Sequence, residues 1–296
     1  MKKKLPVYRT LLSTLMIGAL LWACHDALDP LPDCRLKHLK TTEYIVENQY
    51  TTPDSTKGFV RNEFALEYNE GNKVDKISFI NFSIESGGVL KKNIDNWIIT
   101  YNDNDQAYYL HHDTRDQYYL THFDSKNQVD YITDERGNGY KYIVKWSPKW
   151  LEFYFHTEPN KSVQIEFDEN TNPISLFGEN KSTPNYQFTK YDQLNSPFLA
   201  LPIAVKLCIA ISWLTTAQAH LSYEPYKIGW GMSIFGVNNP LNAIDPPWSF
   251  NFSHSYNTKG FPIKTTTLFA YTDPVIPRWI YNTKYKYVTD YEYDCN

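Results

Sequence analysis

A two-residue alternation of apolar and polar side chains recurs along this chain, and few folds can use it. Phe64, Leu66 and Tyr68 alternate with Ala65 and Glu67. Trp97, Ile99 and Tyr101 follow the same rhythm, as do Val163, Ile165 and Phe167 around Gln164 and Glu166. Phe250, Phe252, His254 and Tyr256 are spaced by Asn251, Ser253 and Ser255. In the last run Tyr285, Tyr287, Tyr291 and Tyr293 share one face, and Lys284, Lys286, Asp290 and Glu292 the other. Successive strand residues point to opposite sides, so each run is a half-buried antiparallel strand. Between the runs stand Asn69-Glu70-Gly71-Asn72, Asn102-Asp103-Asn104-Asp105, Asp124-Ser125-Lys126-Asn127, Asp168-Glu169-Asn170-Thr171-Asn172 and Asn257-Thr258-Lys259-Gly260. Asn and Asp make local side-chain turn bonds and tolerate positive φ, so an aromatic followed by such a cluster reads as a hairpin. The unit recurs about every 20–25 residues, which makes a meander rather than a strict repeat. An aromatic content of 16 % suits a strand-rich chain.

A barrel that faces lipid has an apolar exterior and a polar lumen. Here the alternate face carries Glu67, Glu166, Lys284, Lys286, Asp290 and Glu292. The aromatic face is therefore expected inside and the charged face in water, as a soluble barrel or strongly rolled sheet. One stretch breaks the rhythm. From Phe198 to Leu214 the chain is apolar almost throughout, interrupted by Pro202 and Lys206. A helix apolar on all sides is normally buried, so this segment is expected to pack on the sheet or plug the barrel. A membrane span is the alternative, and a mid-bilayer Lys costs about 2.5–3.5 kcal/mol against it. The expected class is all-β: an antiparallel meander of hairpins rolled into a barrel-like sheet, with one buried apolar helix near 198–214. Frequent Gly, Pro and Asn from Leu221 to Pro247 suggest a long connection.

The first residues set the compartment. Lys2, Lys3, Lys4 and Arg9 precede an apolar run from Leu11 to Trp22, the layout of a secretory signal. Leu21-Trp22-Ala23-Cys24 resembles a bacterial lipobox, with a bulky Trp22 as its departure. The resemblance implies a signal peptide over 1–23, lipidation of Cys24, a tether over 24–32 and one hairpin-array domain over 33–296. It places the protein as an outer-membrane lipoprotein facing the periplasm or the cell surface. Residues 1–23 hold four basic residues and no acid, so without them the formal charge moves from −4 to −8. An acidic body gives no footprint for nucleic acid or an anionic membrane surface. Of the remaining cysteines, Cys34 and Cys295 are expected to pair across the ends of the domain in an oxidising envelope, and Cys208 to be a buried free thiol. The alternative, that all three are free, is open at this level.

No residue cluster carries a chemical signature. His111-His112-Asp113 with Asp116 and His122 is the densest set of metal-ligand types, but adjacent strand residues point apart and the spacing matches no metal motif. Exposed histidines are the expectation. The carboxylate pairs Asp134-Glu135 and Asp168-Glu169 fall at turns, where solvated acids belong. There is no nucleophile elbow, P-loop or dinucleotide fingerprint, and no cofactor or metal is expected. Trp146, Trp150, Trp230, Trp248 and Trp279 are the candidate exposed platforms for a glycan. Asp54-Ser55-Thr56 is similar to a bacterial O-glycosylation sequon, with Ser55 as acceptor.

The order of the remaining motifs carries a family resemblance. Tyr191-Asp192 precedes Asn195-Ser196-Pro197-Phe198; then come the apolar segment, Asn238-Asn239-Pro240-Leu241, an aromatic strand and Asn257-Thr258-Lys259-Gly260-Phe261-Pro262. With the closing Tyr291-Glu292-Tyr293-Asp294-Cys295, this order resembles the lipoproteins of Bacteroides-type bacteria grouped as domain of unknown function 4595. That resemblance implies a porin-like, all-β fold over nearly the whole mature chain and assigns no catalytic residue. The expectation is a non-enzymatic, lipid-anchored envelope protein that binds or scaffolds, with a glycan or an apolar ligand held inside the sheet and the membrane reached through Cys24. Two rivals are an envelope carbohydrate-active hydrolase using paired carboxylates, and an open structural hairpin array like Rhs-type shell proteins.

Overall fold

The computed structural model describes residues 34–47, 58–84, 90–113, 116–134, 140–178, 181–217, 233–245, 248–271 and 284–295. Sixteen strands follow one another: β1 (Cys34–Glu47), β2 (Phe59–Tyr68), β3 (Val74–Ile84), β4 (Leu90–Tyr101), β5 (Ala107–His112), β6 (Gln117–Phe123), β7 (Val129–Asp134) and β8 (Tyr140–Ser147). Then come β9 (Trp150–Phe155), β10 (Val163–Phe167), β11 (Pro173–Phe177), β12 (Tyr186–Asn195), helix α1 (Ile203–Ala217), β13 (Asn238–Asp245), β14 (Trp248–Tyr256), β15 (Pro262–Tyr271) and β16 (Lys284–Cys295). Each strand pairs antiparallel with its neighbours in sequence, and β1 pairs with β16, so the meander closes into a barrel. An open, extended hairpin array is thereby excluded.

Five turns with one geometry line one rim. In each, the first residue (Asn69, Asn102, Asp124, Asp168 or Asn257) donates its N–H to the carbonyl of the fifth and accepts from the N–H of the fourth. The fourth residue has positive φ: Asn72 61°, Asp105 64°, Asn127 66°, Thr171 62°, Gly260 80°. The ladder shifts register beside every one of these turns. This is a tight turn closed by a bulge, the geometry that Asx and Gly supply at least cost. The leading side chain adds bonds of its own. Asp168 Oδ1 accepts from the N–H groups of Asn170 and Asn172, both at 2.8 Å, and Asn102, Asp124 and Asn257 do the same.

The aromatics that precede or answer these turns tie the hairpins crosswise. The Tyr68 hydroxyl donates to the Leu36 carbonyl (2.7 Å), Tyr101 to Val74 (2.9 Å) and Tyr293 to Pro262 (2.9 Å). Trp146 Nε1 donates to Val129 (2.7 Å), and Tyr191 bonds the Pro173 carbonyl. In each case a ring late in one strand reaches the carbonyl at the start of the strand before it. Backbone acceptors near the rim are thus satisfied from inside the barrel.

Sidedness follows the alternation. Phe64, Leu66, Trp97, Ile99, Ile165 and Phe250 are buried on the inner face. Glu67, Lys92, Lys145, Lys264, Asp290 and Glu292 are exposed on the outer one. Outward apolar residues occur, as Leu90, Ile94 and Ile98 on β4, but Lys92 and Asn96 separate them. A sixteen-stranded barrel encloses more space than its own side chains fill. Helix α1 occupies it: Ala204 through Ile211 are buried without a break, which explains an apolar surface on every side. The helix begins after Pro202, later than the expected start at Phe198, because Ser196–Leu201 form turns first and proline lacks the N–H of a helix interior. Among the described residues no helix is long and apolar enough to cross a membrane.

One segment differs from expectation. Part of the long connection read over 221–247 is strand β13, with Pro240 inside it. Pro240 sits opposite Tyr191, where the register shifts on both sides, so the ladder loses no regular bond to the missing N–H.

Candidate functional site

The residues that carry the family resemblance converge where α1 leaves and re-enters the wall. Ser196 N–H donates to the Val237 carbonyl (2.8 Å), which pins the two sides of the neck. Asp192 Oδ1 accepts from the N–H groups of Leu194 and Asn239, each at 3.0 Å, and Oδ2 accepts from the Tyr256 hydroxyl. Asn239 Nδ2 donates to the carbonyls of Leu194 (3.2 Å) and Asn195 (3.0 Å). Asn195 N–H bonds the Gly260 carbonyl (3.1 Å), which brings in the β14–β15 turn. From the β10–β11 turn, Asn172 Oδ1 accepts from Val237 (3.1 Å) and Asn238 (2.8 Å). The Asp192 carboxylate and the Asn239 amide nitrogen are thus held by structural bonds. Burial, and then the bonded Asp192 carboxylate, hold the Tyr256 hydroxyl protonated well above the usual tyrosine range.

Above the knot the packing opens. A cavity of about 70 Å³ lies between the neck and the inner faces of β1 and β12–β16. One wall is aromatic: Phe188, Phe250 and Phe252, with Phe198 from the neck. Beside these rings runs a row of neutral polar groups set by strand register. Thr41 on β1 stands opposite Thr289 on β16, Thr289 opposite Thr265 on β15, and Thr265 opposite His254 on β14. Thr41 and Thr289 hydroxyls are 2.9 Å apart. Thr265 Oγ1 lies 2.8 Å from His254 Nδ1 and 3.1 Å from the Tyr291 hydroxyl, while His254 Nε2 lies 2.8 Å from the Pro240 carbonyl.

The proton pattern follows from burial. Desolvation lowers the His254 pKa, against the Pro240 carbonyl and the Asp192 charge, so the ring is neutral at pH 7. A carbonyl only accepts, so Nε2 carries the hydrogen and Nδ1 accepts from Thr265. Thr265 then has lone pairs left for the Tyr291 hydroxyl, whose own pKa desolvation pushes up to about 12. The wall presents hydroxyls and an imidazole without net charge.

The residues singled out in the sequence are scattered. His111 faces outward, stacked on Tyr118 at 4.3 Å, and His112 faces the lumen beside Trp97, 4.6 Å between ring centres. His122 stacks on Tyr131 on the outer face. Among the described residues, no group of three His, Cys, Asp or Glu is placed to hold a metal. Asp168 caps its turn, and Asp134 accepts from Gln117 Nε2 at 2.6 Å in the interior, so it is no solvated turn acid as expected. The sequence placed it at a strand end, and β7 carries it inward at its last residue. Trp146 is corrected likewise. It is an inward rim ring bonded to Val129 rather than an exposed platform, because its position in β8 shares the inner face with Val144. Trp150 is half-buried at the start of β9. Cys34 and Cys295 are joined, and Cys208 is a buried free thiol. Cys24, Ser55, Glu135, Trp230 and Trp279, and the side chain of Trp248, lie outside the described residues.

The threonine row was missed in the sequence. Its members are single residues on β14, β15, β16 and β1, aligned by strand register, and only closure brings in Thr41.

No family model matches this chain, and no curated protein does. Among solved structures it is similar to a porin-like protein from Bacteroides uniformis, with a TM-score of 0.52 at 10 % identity, over 88 % of this chain and 98 % of that one. The likeness is one of fold.

Proposed function

We propose that this protein is a non-enzymatic envelope barrel, tethered by lipid on Cys24, that holds a small molecule in its lumen. The observation that carries the reading is the cavity in the lumen, lined by aromatic rings and by neutral polar groups. A core built for stability alone fills such a space, because voids forfeit contact energy. The helix plug argues for holding rather than conducting, although the similar structure is described as porin-like. The charged exterior argues that the wall stands in water. A lipid-facing Lys costs about 2–4 kcal/mol at the bilayer midplane and less toward the interfaces, and Lys92, Lys145 and Lys264 all point outward. Membrane contact is then left to the lipid. Asp134, Asp168 and Asp192 each have structural partners, which speaks against the hydrolase reading.

The test is a screen of small apolar and neutral polar compounds by thermal shift, repeated on Thr267→Phe, which fills the cavity from β15. Compounds that stabilise the wild type and leave the filled variant unchanged support the reading. Conductance in planar bilayers, or equal shifts in both proteins, would defeat it. Tethering is checked separately: Cys24→Ala is expected to move the protein from the detergent phase to the aqueous phase.

A further inference from the structure

Two hydroxyls in the cavity wall bond each other and still have bonding capacity to spare. Thr41 and Thr289 both line the cavity, with their oxygens 2.9 Å apart. Two hydroxyls carry two protons, and the bond between them uses one. Among the described residues neither side chain has another hydrogen-bond partner. The pair therefore offers the cavity one O–H donor and unused lone pairs. Other polar groups of the wall are more fully committed. Both His254 nitrogens are bonded, and Thr265 lies between His254 and Tyr291. The Asn239 amide nitrogen holds the carbonyls of Leu194 and Asn195. Thr267, half-buried two residues along β15, is likewise without a hydrogen-bond partner among the described residues. The cavity thus has few open polar positions, and the Thr41–Thr289 pair is the one that is buried.

Resting on the lumen-binding reading, we propose that the ligand is a single, mainly apolar ring bearing a hydroxyl, and that this hydroxyl bonds the Thr41–Thr289 pair. A hydroxyl accepts one bond and donates one, which is what the pair leaves open. The surroundings of the pair suit a ring. Tyr287 and Tyr291 flank Thr289 on the same face of β16, and Leu39 flanks Thr41 on β1; all three line the cavity. Phe250 and Phe252 add two nearly parallel rings, 20° apart, with centres 6.5 Å from each other. The size also selects one ring. The cavity of about 70 Å³ holds roughly five waters, and their liquid volume, about 150 Å³, is the space that takes one benzene-sized molecule. A sugar carries a hydroxyl on almost every carbon, and most of these would face aromatic side chains without a partner, which is costly. A charged ligand is disfavoured for the same reason. Among the described residues no Asp, Glu, Lys or Arg lines the cavity.

The experiment titrates the full chain by calorimetry with phenol, toluene and glucose. The double substitution Thr41→Val with Thr289→Val is carried through the same series. Valine keeps the shape of threonine, so both hydroxyls go and neither is left unpaired. Phenol is expected to bind the wild type and to lose about three- to tenfold in affinity in the double variant, the effect of one neutral hydrogen bond. Toluene is expected to bind both proteins alike, and glucose neither. The same contact is read in the wild type alone, so the test does not depend on how the variant folds. There phenol should bind at least as tightly as toluene, although toluene leaves water more readily. Phenol binding that is equal in the two proteins, toluene binding clearly tighter than phenol in the wild type, or glucose binding tighter than either would overturn the assignment and leave the lumen-binding reading standing. Binding of none of the three would remove both.

Discussion

At the scale of single residues, the ring hydroxyls near the turn rim have more structural weight than their half-exposed positions suggest. The Tyr68 hydroxyl bonds a backbone carbonyl of β1, and the Arg35 guanidinium lies 5.0 Å over its ring. Tyr118 makes a bond of similar length, but to the exposed Asp116. The two therefore separate by mutation. Tyr68→Phe should cost about 0.5–1.5 kcal/mol in denaturant unfolding, and Tyr118→Phe clearly less. Equal effects would mean that the rim bonds are ornamental. The same rings make stability depend on pH. Burial holds Tyr68, Tyr101, Tyr191, Tyr256 and Tyr293 protonated well above the usual tyrosine range. In the unfolded chain they ionise near pH 10. Their contribution is thus complete below about pH 10 and is lost as pH rises toward the folded values, with a slope of up to about 1.4 kcal/mol per pH unit for each. Stability should be flat from neutrality to about pH 9 and should fall steeply above 10. Tyrosinate absorbance should show a second, cooperative rise that coincides with unfolding. A single smooth rise near pH 10 with the fold intact would contradict this account.

At the scale of elements, the strands and hairpins are legible because their causes are local. Phe64, Leu66 and Tyr68 write the alternation of β2 directly, and Asn69 through Asn72 write the turn that ends it. Helix α1 is legible in kind, since a segment such as Val205–Ile211 is apolar on nearly every side with Lys206 its one charge, and less so in extent. Its start depends on where the neck turns finish, and they are fixed by bonds to Val237 and Gly260 far along the chain. Strand β13 was illegible for a related reason. Asn238-Asn239-Pro240 has turn composition, and bonds from Asp192 and Asn172, distant in sequence, help hold it in the wall. The cavity row depends still more on closure, because Thr41 and Thr289 meet across 248 residues. The plug itself can be tested. Leu207 is wholly buried on α1, and Leu207→Ala should cost about 2–5 kcal/mol while circular dichroism keeps its strand signature. A cost below about 1 kcal/mol would show that the helix is a guest in the barrel rather than its core.

At the scale of the whole molecule, the unusual requirement is closure. Fourteen of the strand pairings join hairpin neighbours or strands linked by short loops, and β12 to β13 spans the plug; only β1 and β16 must find each other across the full length of the domain. Such contacts are slow to form and depend on the entropy of the open chain. Three features bear on this one seam. The ladder between β1 and β16 runs from Cys34 opposite Cys295 to Glu47 opposite Lys284. Arg35 bonds Asp294 across it at 3.0 Å and also reaches Asn72 of the first rim turn at 2.5 Å. Cys34 and Cys295, 261 residues apart in sequence, then join it covalently at the rim. A crosslink that closes so long a loop removes mostly unfolded-state freedom and leaves the native contacts nearly as they were. The double substitution Cys34→Ser with Cys295→Ser should therefore retain the barrel by circular dichroism and lose about 2–5 kcal/mol of stability. Because the open unfolded chain exposes more surface, its denaturant slope should also rise. The exposed Asp294 adds little on its own, so Asp294→Asn should cost well under 1 kcal/mol. A disulfide-free protein as stable as the wild type would mean that the strand ladder alone holds the seam, and that the cysteines serve something other than closure.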